Sequence, residues 1–168
     1  MRTIVRVIDS ISEYTGKVIC WACVALIGVL IYEVTMRYVF SAPTLWTMET
    51  SCMLGGTIII LGAAYTHRHH SHVRVDVFYT HLSPKRKAII DVVCGLLFFF
   101  PLFIILTYTA ATEMWFSWSI GEVLIETIWY PPAGPIRTVM LLGLFLLVLQ
   151  GIAQFIRDSY LLIRNKPL

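Results

Sequence analysis

The sequence predicts an all-α integral membrane protein with four transmembrane helices, both termini on the cytoplasmic side, and amphipathic surface segments. Three observations carry that prediction. First, 58% of the 168 residues are hydrophobic and 14% are charged, with a mean hydropathy of +0.77. A soluble domain carries about 45–50% apolar and about 25% charged residues, so this chain has little polar surface to turn toward water. Second, four continuous apolar runs each reach the roughly 20 residues that a helix needs to cross a hydrocarbon core of about 30 Å. They do not alternate as the shorter strands of a membrane barrel do. Third, eleven of the thirteen Lys and Arg residues fall in the N-terminal segment, the connection between the second and third runs, and the C-terminal tail. By the positive-inside rule these regions are cytoplasmic, and an even number of spans returns the chain to the side on which it began.

The chain reads as one membrane domain, residues 1–168, without internal repeats. Residues 1–17 are amphipathic: Ile4, Val7, Ile8, Ile11 and Tyr14 recur at helical spacing, with Arg6, Asp9 and Glu13 elsewhere on the wheel. A helix lying on the cytoplasmic membrane surface is expected. Acidic Asp9 and Glu13 interrupt its basic character and no small-x-small cleavage site follows, so the segment is read as retained, not as a signal peptide. The spans follow at 18–40, 45–65, 88–110 and 136–156. The third apolar run continues to residue 118, about 46 Å at 1.5 Å per residue, so that helix is expected to tilt or project, with a kink at Pro101. Between the spans lie a cytoplasmic loop, 66–87, and an outer segment, 119–135, expected along the membrane surface. The tail, 157–168, is cytoplasmic.

Ionisable groups at membrane depth are costly, which makes each one a candidate. Glu33 and Arg37 are spaced to pair on one helix face near the outer interface. Glu49 lies one turn into the second span, after Trp46; capping backbone amides, pairing with Arg37 and contacting a partner chain are all open to it. Its face continues through Cys52, Gly56 and Ala63, with Ser51 and Gly55 beside it, small residues that let another helix approach. Gln150 and Gln154 suit interhelical hydrogen bonds near the inner end of the fourth span.

Four cysteines, Cys20, Cys23, Cys52 and Cys94, all lie in apolar runs, where Cys behaves as a small hydrophobe. Five histidines, His67, His69, His70, His72 and His81, crowd the middle loop, mixed with Arg68 and Arg74. They lack a fixed spacing with carboxylate or thiolate partners, so a solvated, headgroup-facing loop is expected, without a metal or cofactor site. Asp76 is expected to pair with Arg74 or Arg68, or to cap a short helix after it. No phosphate loop, catalytic triad or zinc-protease motif is present. Neither enzymatic chemistry nor nucleic-acid binding is expected.

Several segments together resemble the small membrane subunit, the DctQ-like component, of tripartite ATP-independent periplasmic (TRAP) transporters. They are Arg37-Tyr38-Val39-Phe40 closing the first span, Trp46-Thr47-Met48-Glu49 opening the second, and the stretch from Ala64 to Asp76 through Arg68, His72 and Val75. Trp118-Ser119-Ile120-Gly121-Glu122 follows, then the Pro-rich turn Pro131-Pro132-Ala133-Gly134-Pro135, and Leu146-Leu147-Val148-Leu149-Gln150-Gly151 on the fourth span. Where that family often has two successive acids, this chain has Met48 before Glu49.

The resemblance implies a scaffold subunit of a secondary-active importer in a bacterial or archaeal cytoplasmic membrane, driven by an ion gradient and taking up organic acids or similar solutes. A large membrane subunit would hold the transport path and the sodium sites, and an extracytoplasmic binding protein would deliver the solute. Glu33, Arg37, Trp46, Glu49, Gly56, Arg68, His72, Asp76 and Gln150 then become structural or subunit-interface candidates. Glu113, Trp118, Glu122, Glu126 and Trp129, in the acidic and aromatic outer region, become docking candidates for the binding protein. Membrane lipids are the surroundings. Two other readings compete: a haem- or quinone-binding anchor of a respiratory enzyme, which needs opposed ligands inside the bundle, and an autonomous small transporter, which needs a polar lining.

Overall fold

A computed structural model describes residues 2–69, 84–125 and 128–164. Its helices are α1 (Arg2–Tyr38), α2 (Thr47–Arg68), α3 (Pro84–Cys94), α4 (Phe100–Ile120) and α5 (Gly134–Arg164), with a π-helical turn, Gly95–Phe99, joining α3 to α4. Four stretches are long and apolar enough to span a membrane: Val5–Tyr38, Thr47–Arg68, Ile89–Ile120 and Gly134–Leu162. No strand occurs among the described residues; the one sheet-like pairing is an isolated bridge between Val123 and Pro132.

The predicted four spans are present, with boundaries that differ in instructive ways. Helix α1 runs unbroken from Arg2, so the N-terminal segment is a continuation of the first span and not a separate surface helix. Its apolar positions Val5 and Ile8 cluster with Ala153, Leu149 and Ile156 of α5, because α5 also continues past the apolar core and offers a protein surface there. The third span extends to Ile120. Its irregularity falls just before Pro101. Proline has no N–H for the carbonyl four residues back and its ring crowds that carbonyl, and a wider π turn at Gly95–Phe99 accommodates both.

The termini of the spans have local causes. Ser41, at φ +50°, turns the chain after α1, and the Ala42 amide donates to the Met36 carbonyl at 3.0 Å. Gly121, at φ +62°, ends α4 in the left-handed conformation that glycine adopts without a Cβ penalty, and the Glu122 amide donates to the Ser117 carbonyl at 3.0 Å.

Helix α5 is the hub, packing on α2, α4, α3 and α1, while α1 also lies along α2. The helices approach where a large side chain seats on a neighbour's glycine. Ile60 of α2 faces Gly143 of α5, where an added Cβ would lie 2.8 Å from Ile60 Cγ1 and 3.0 Å from its backbone carbonyl carbon. In the same way the Phe99 ring covers Gly151 and the Tyr65 ring covers Gly16. The glycine notches are therefore on α1 and α5. On α2, the expected small-residue face is open: a Cβ at Gly55 or Gly56 would meet nothing within 4 Å. Interhelical attraction in lipid comes from such close packing rather than from a hydrophobic drive.

Candidate functional site

Three polar clusters stand out. The first ties together the start of α1, the end of α2 and the last half of α5. Ser12 and Gln150 are fully buried; the Ser12 hydroxyl donates to Gln150 Oε1 at 2.8 Å, and Gln150 Nε2 donates to Asp9 Oδ1 at 3.1 Å. The Asp9 carboxylate also accepts from Arg157. Arg68, in the last turn of α2, donates through Nη1 to the Asp9 carbonyl at 2.8 Å and to Glu13 Oε2 at 2.5 Å. His69 Nε2 lies 3.4 Å from the same Glu13 oxygen, and Lys17 reaches Glu13 at 3.7 Å.

Of the residues expected here, Arg68 and Gln150 are brought together, each touching Asp9. His72 and Asp76 lie outside the described residues, as does the expected pairing of Asp76 with Arg74 or Arg68. Asp9, Ser12, Glu13 and Arg157 are members that sequence reasoning missed. Asp9 and Glu13, one helical turn apart, carried the signal, but a polar helix edge facing water and one facing a neighbouring helix look alike in sequence.

The second cluster closes the C-terminal end of α1 onto the start of α2. Arg37 donates to Glu33 Oε1 through Nε at 3.0 Å and Nη2 at 2.5 Å, as the spacing predicted. The other Glu33 oxygen accepts from the Thr44 amide at 3.2 Å and from the Thr44 hydroxyl, which in turn contacts Thr47. Glu33 thereby fixes the connection between the helices. Trp46 packs against Tyr32 with ring centroids 5.7 Å apart. Glu49 is buried in the first turn of α2, where the helix dipole favours a carboxylate; the guanidinium of Arg37 is held by Glu33.

The third cluster organises the connection between α4 and α5. Arg137, near the start of α5, bonds Glu113 of α4 and donates through Nη2 to Glu122 Oε1 at 2.7 Å. The Ala133 amide donates to the Glu122 carbonyl at 2.9 Å and the Leu124 amide to Pro131 at 2.8 Å, making a short hairpin-like arm. Trp118 lies over Gly134 and its indole donates to the Thr138 hydroxyl at 2.9 Å. The two described acids of the docking set thus share one internal cation, Arg137, which the sequence analysis does not single out. Glu113 remains largely exposed, as does Trp129, while Glu126 lies outside the described residues.

Among the described residues, no group of three or more His, Cys, Asp or Glu side chains converges as a metal site. A cavity of about 350 Å³ between the α3–α4 junction and α5 is lined by Phe98, Phe99, Phe100 and Phe155, with the polar groups His67, Asp91, Gln154 and Asp158 also on its wall.

Known proteins give these clusters a context. The chain is 30% identical over 81 residues to the sialic acid TRAP transporter permease protein SiaT of Haemophilus influenzae, covering 48% of this chain and 12% of that protein. It is also 30% identical over 94 residues to the C4-dicarboxylate TRAP transporter small permease protein DctQ of Vibrio cholerae serotype O1, covering 54% of this chain and 39% of that protein. It therefore matches well under two thirds of the length of either relative. A family model extends the likeness along most of the chain, from residue 26 to residue 160. With four spans and this match, the chain belongs to the DctQ component family of the tripartite ATP-independent periplasmic transporters.

Proposed function

We propose that this chain is the small scaffold subunit of an ion-gradient-driven importer for organic acids or similar small solutes. It sits in the cytoplasmic membrane with both termini inside. A large membrane subunit holds the transport path and couples uptake to sodium, and an extracytoplasmic binding protein delivers the solute to the outer face. The observation that carries the reading is how the charged groups at the helix ends are used. Asp9, Glu13, Arg68 and Arg157 pair with one another, as do Glu33 and Arg37, and Arg137 pairs with Glu113 and with one oxygen of Glu122. Such pairs hold helices in place, whereas a hydrophilic path needs polar groups turned toward a passing solute. The exposed apolar faces of α1 and of the α3–α4 rod suit lipid and a partner subunit.

At the outer face, docking falls to Glu113, Trp118 and Trp129 as accessible groups, with Glu122 held back by Arg137. Affinity purification of the chain from native membranes in mild detergent tests the reading. Near-equal recovery of a much larger multi-span membrane protein is expected. Recovery of a redox enzyme, or of this chain alone as a stable oligomer, overturns it.

A further inference from the structure

The cavity between the α3–α4 junction and α5 is a slot, polar at one end and aromatic at the other. Phe99 of the π turn covers Gly151 of α5. Asp158 stands seven residues on from Gly151 and Asp91 eight residues back from Phe99, each about 10–12 Å along its helix from that contact. Both carboxylates are at the same end, because Asp91 lies in the first turn of the Ile89–Ile120 span and Asp158 in the last turns of the Gly134–Leu162 span. Span ends are where lipid headgroups lie. From there the wall turns apolar toward the membrane, through Phe98, Phe99, Phe155 and Leu102. The aromatic part is braced from three helices: the His67 ring of α2 stacks on Phe99 at 5.3 Å, and Phe100 meets Phe155 of α5 edge-on at 5.7 Å.

Charge, size and mouth together select an occupant. No Lys or Arg is among the described residues that line the slot. Arg157, which reaches Gln154 Oε1 at 3.2 Å, is bonded to Asp9. The two carboxylates therefore favour a cation and disfavour an anionic headgroup. Gln154 Nε2 donates to both Asp158 oxygens, at 3.1 and 3.2 Å, and fixes that carboxylate; with about four acceptor sites, a carboxylate holds an amide and an ammonium together. A volume of about 350 Å³ is that of a small-ligand site, not of a helix about 10 Å across. Phe98 and Leu102 border the slot and are 72% and 55% exposed, so it opens on the apolar face of the Ile89–Ile120 span. A soluble amine would leave the aromatic end unused. A lipid has its polarity running the same way as the slot, from headgroup to chain.

We infer that the slot is a binding site for a phospholipid with a primary ammonium headgroup, the ammonium held by Asp91 and Asp158 and the start of an acyl chain lying along the Phe98–Phe99 wall. A primary ammonium donates three hydrogen bonds to such acceptors, whereas a quaternary one donates none. The bound lipid joins α3 to α5 beside the π turn. The site belongs to this chain alone, so its failure leaves the scaffold function untouched.

The test is native mass spectrometry of the delipidated full chain in mild detergent. It is titrated with phosphatidylethanolamine, phosphatidylcholine and phosphatidylglycerol of identical acyl chains, and with glycerophosphoethanolamine. One phosphatidylethanolamine per chain is expected, bound at least fivefold more tightly than either other lipid. Combining Asp91→Asn with Asp158→Asn should erase that preference. Gly95→Leu fills the slot from a position where an added Cβ meets nothing within 4 Å, and should weaken phosphatidylethanolamine binding at least fivefold in a chain that stays monodisperse. If the double Asn variant does not stay monodisperse, Gly95→Leu decides. Phosphatidylglycerol binding as tightly as phosphatidylethanolamine overturns the inference, and so does phosphatidylcholine doing so. Glycerophosphoethanolamine matching the intact lipid assigns the site to a soluble amine and overturns it as well. A preference unchanged in both variants places the lipid elsewhere on the chain, with the same consequence.

Discussion

Replacing Gly143 by alanine adds one methyl group at the closest approach of α2 and α5. That Cβ would lie 2.8 Å from Ile60 Cγ1, 3.0 Å from Cγ2 and 3.0 Å from the carbonyl carbon of Ile60. A side-chain methyl can rotate away. The backbone carbon can only retreat with α2 itself, which also carries Tyr65 on Gly16 and Arg68 in the Asp9–Gln150 cluster. Overpacking of this kind costs about 1–3 kcal/mol, and at about 1.4 kcal/mol per decade this lowers the folded-to-unfolded ratio roughly 5- to 150-fold. Alanine's better helix propensity returns at most about 1 kcal/mol.

Gly56→Ala, in open space on α2, is the matched control and is expected to be neutral or slightly stabilising. Thermal unfolding of the purified chain in detergent, followed by loss of the monodisperse peak on size exclusion, should rank Gly143→Ala below wild type and Gly56→Ala at or above it. In an Ile60→Ala background the penalty of Gly143→Ala should shrink without vanishing, because two of the three contacts are removed and the backbone contact stays. Equal penalties in both backgrounds, or equal stability of the two glycine variants, would refute the reasoning.

Two further outcomes are expected. Gln150→Leu strips the buried Ser12 hydroxyl and Asp9 of a partner, so it should lower thermal stability by about 1–3 kcal/mol, and a neutral result in the same unfolding assay would remove the Asp9–Gln150 cluster from the account. Arg137→Gln releases Glu113 and Glu122 together, so amide exchange at 121–125, 128–130 and 133 should quicken while the middle of α5 is unchanged; unaltered exchange in this arm counts against Arg137 as its clamp.

Much of the architecture was legible because its causes are local. A continuous apolar run of sufficient length marks a span wherever it occurs, and Glu33 and Arg37 can pair because one turn of helix brings them together. Gln150 was likewise readable as an interhelical hydrogen-bonding group, since an amide that deep has few other uses. Its partners, Ser12 and Asp9, were not, because they lie about 140 residues away in sequence. The same limit hid Arg137, whose acids sit 15 and 24 residues before it. Periodicity correctly placed Asp9 and Glu13 on a different side of α1 from Val7 and Ile11, yet it carries no information about what covers each side. The glycine notches within the chain were hidden for a related reason: a notch and the knob that fills it are on different helices, and Ile60, Tyr65 and Phe99 do not stand out until Gly143, Gly16 and Gly151 stand opposite them.

The π turn at Gly95–Phe99 has a geometric consequence. One extra residue in a helical turn advances everything after it by about 100° around the axis. The turn therefore sets the phase between α3 and α4, both of which pack on α5, and so decides that Ala110 and Ser117 are the α4 residues brought to burial. Losing a single residue between 95 and 99 would not merely shorten the rod. It would rotate Ala110 and Ser117 out of contact and swing apolar residues such as Tyr108 and Trp115 through the bundle, so length at this point in the chain acts as an angle.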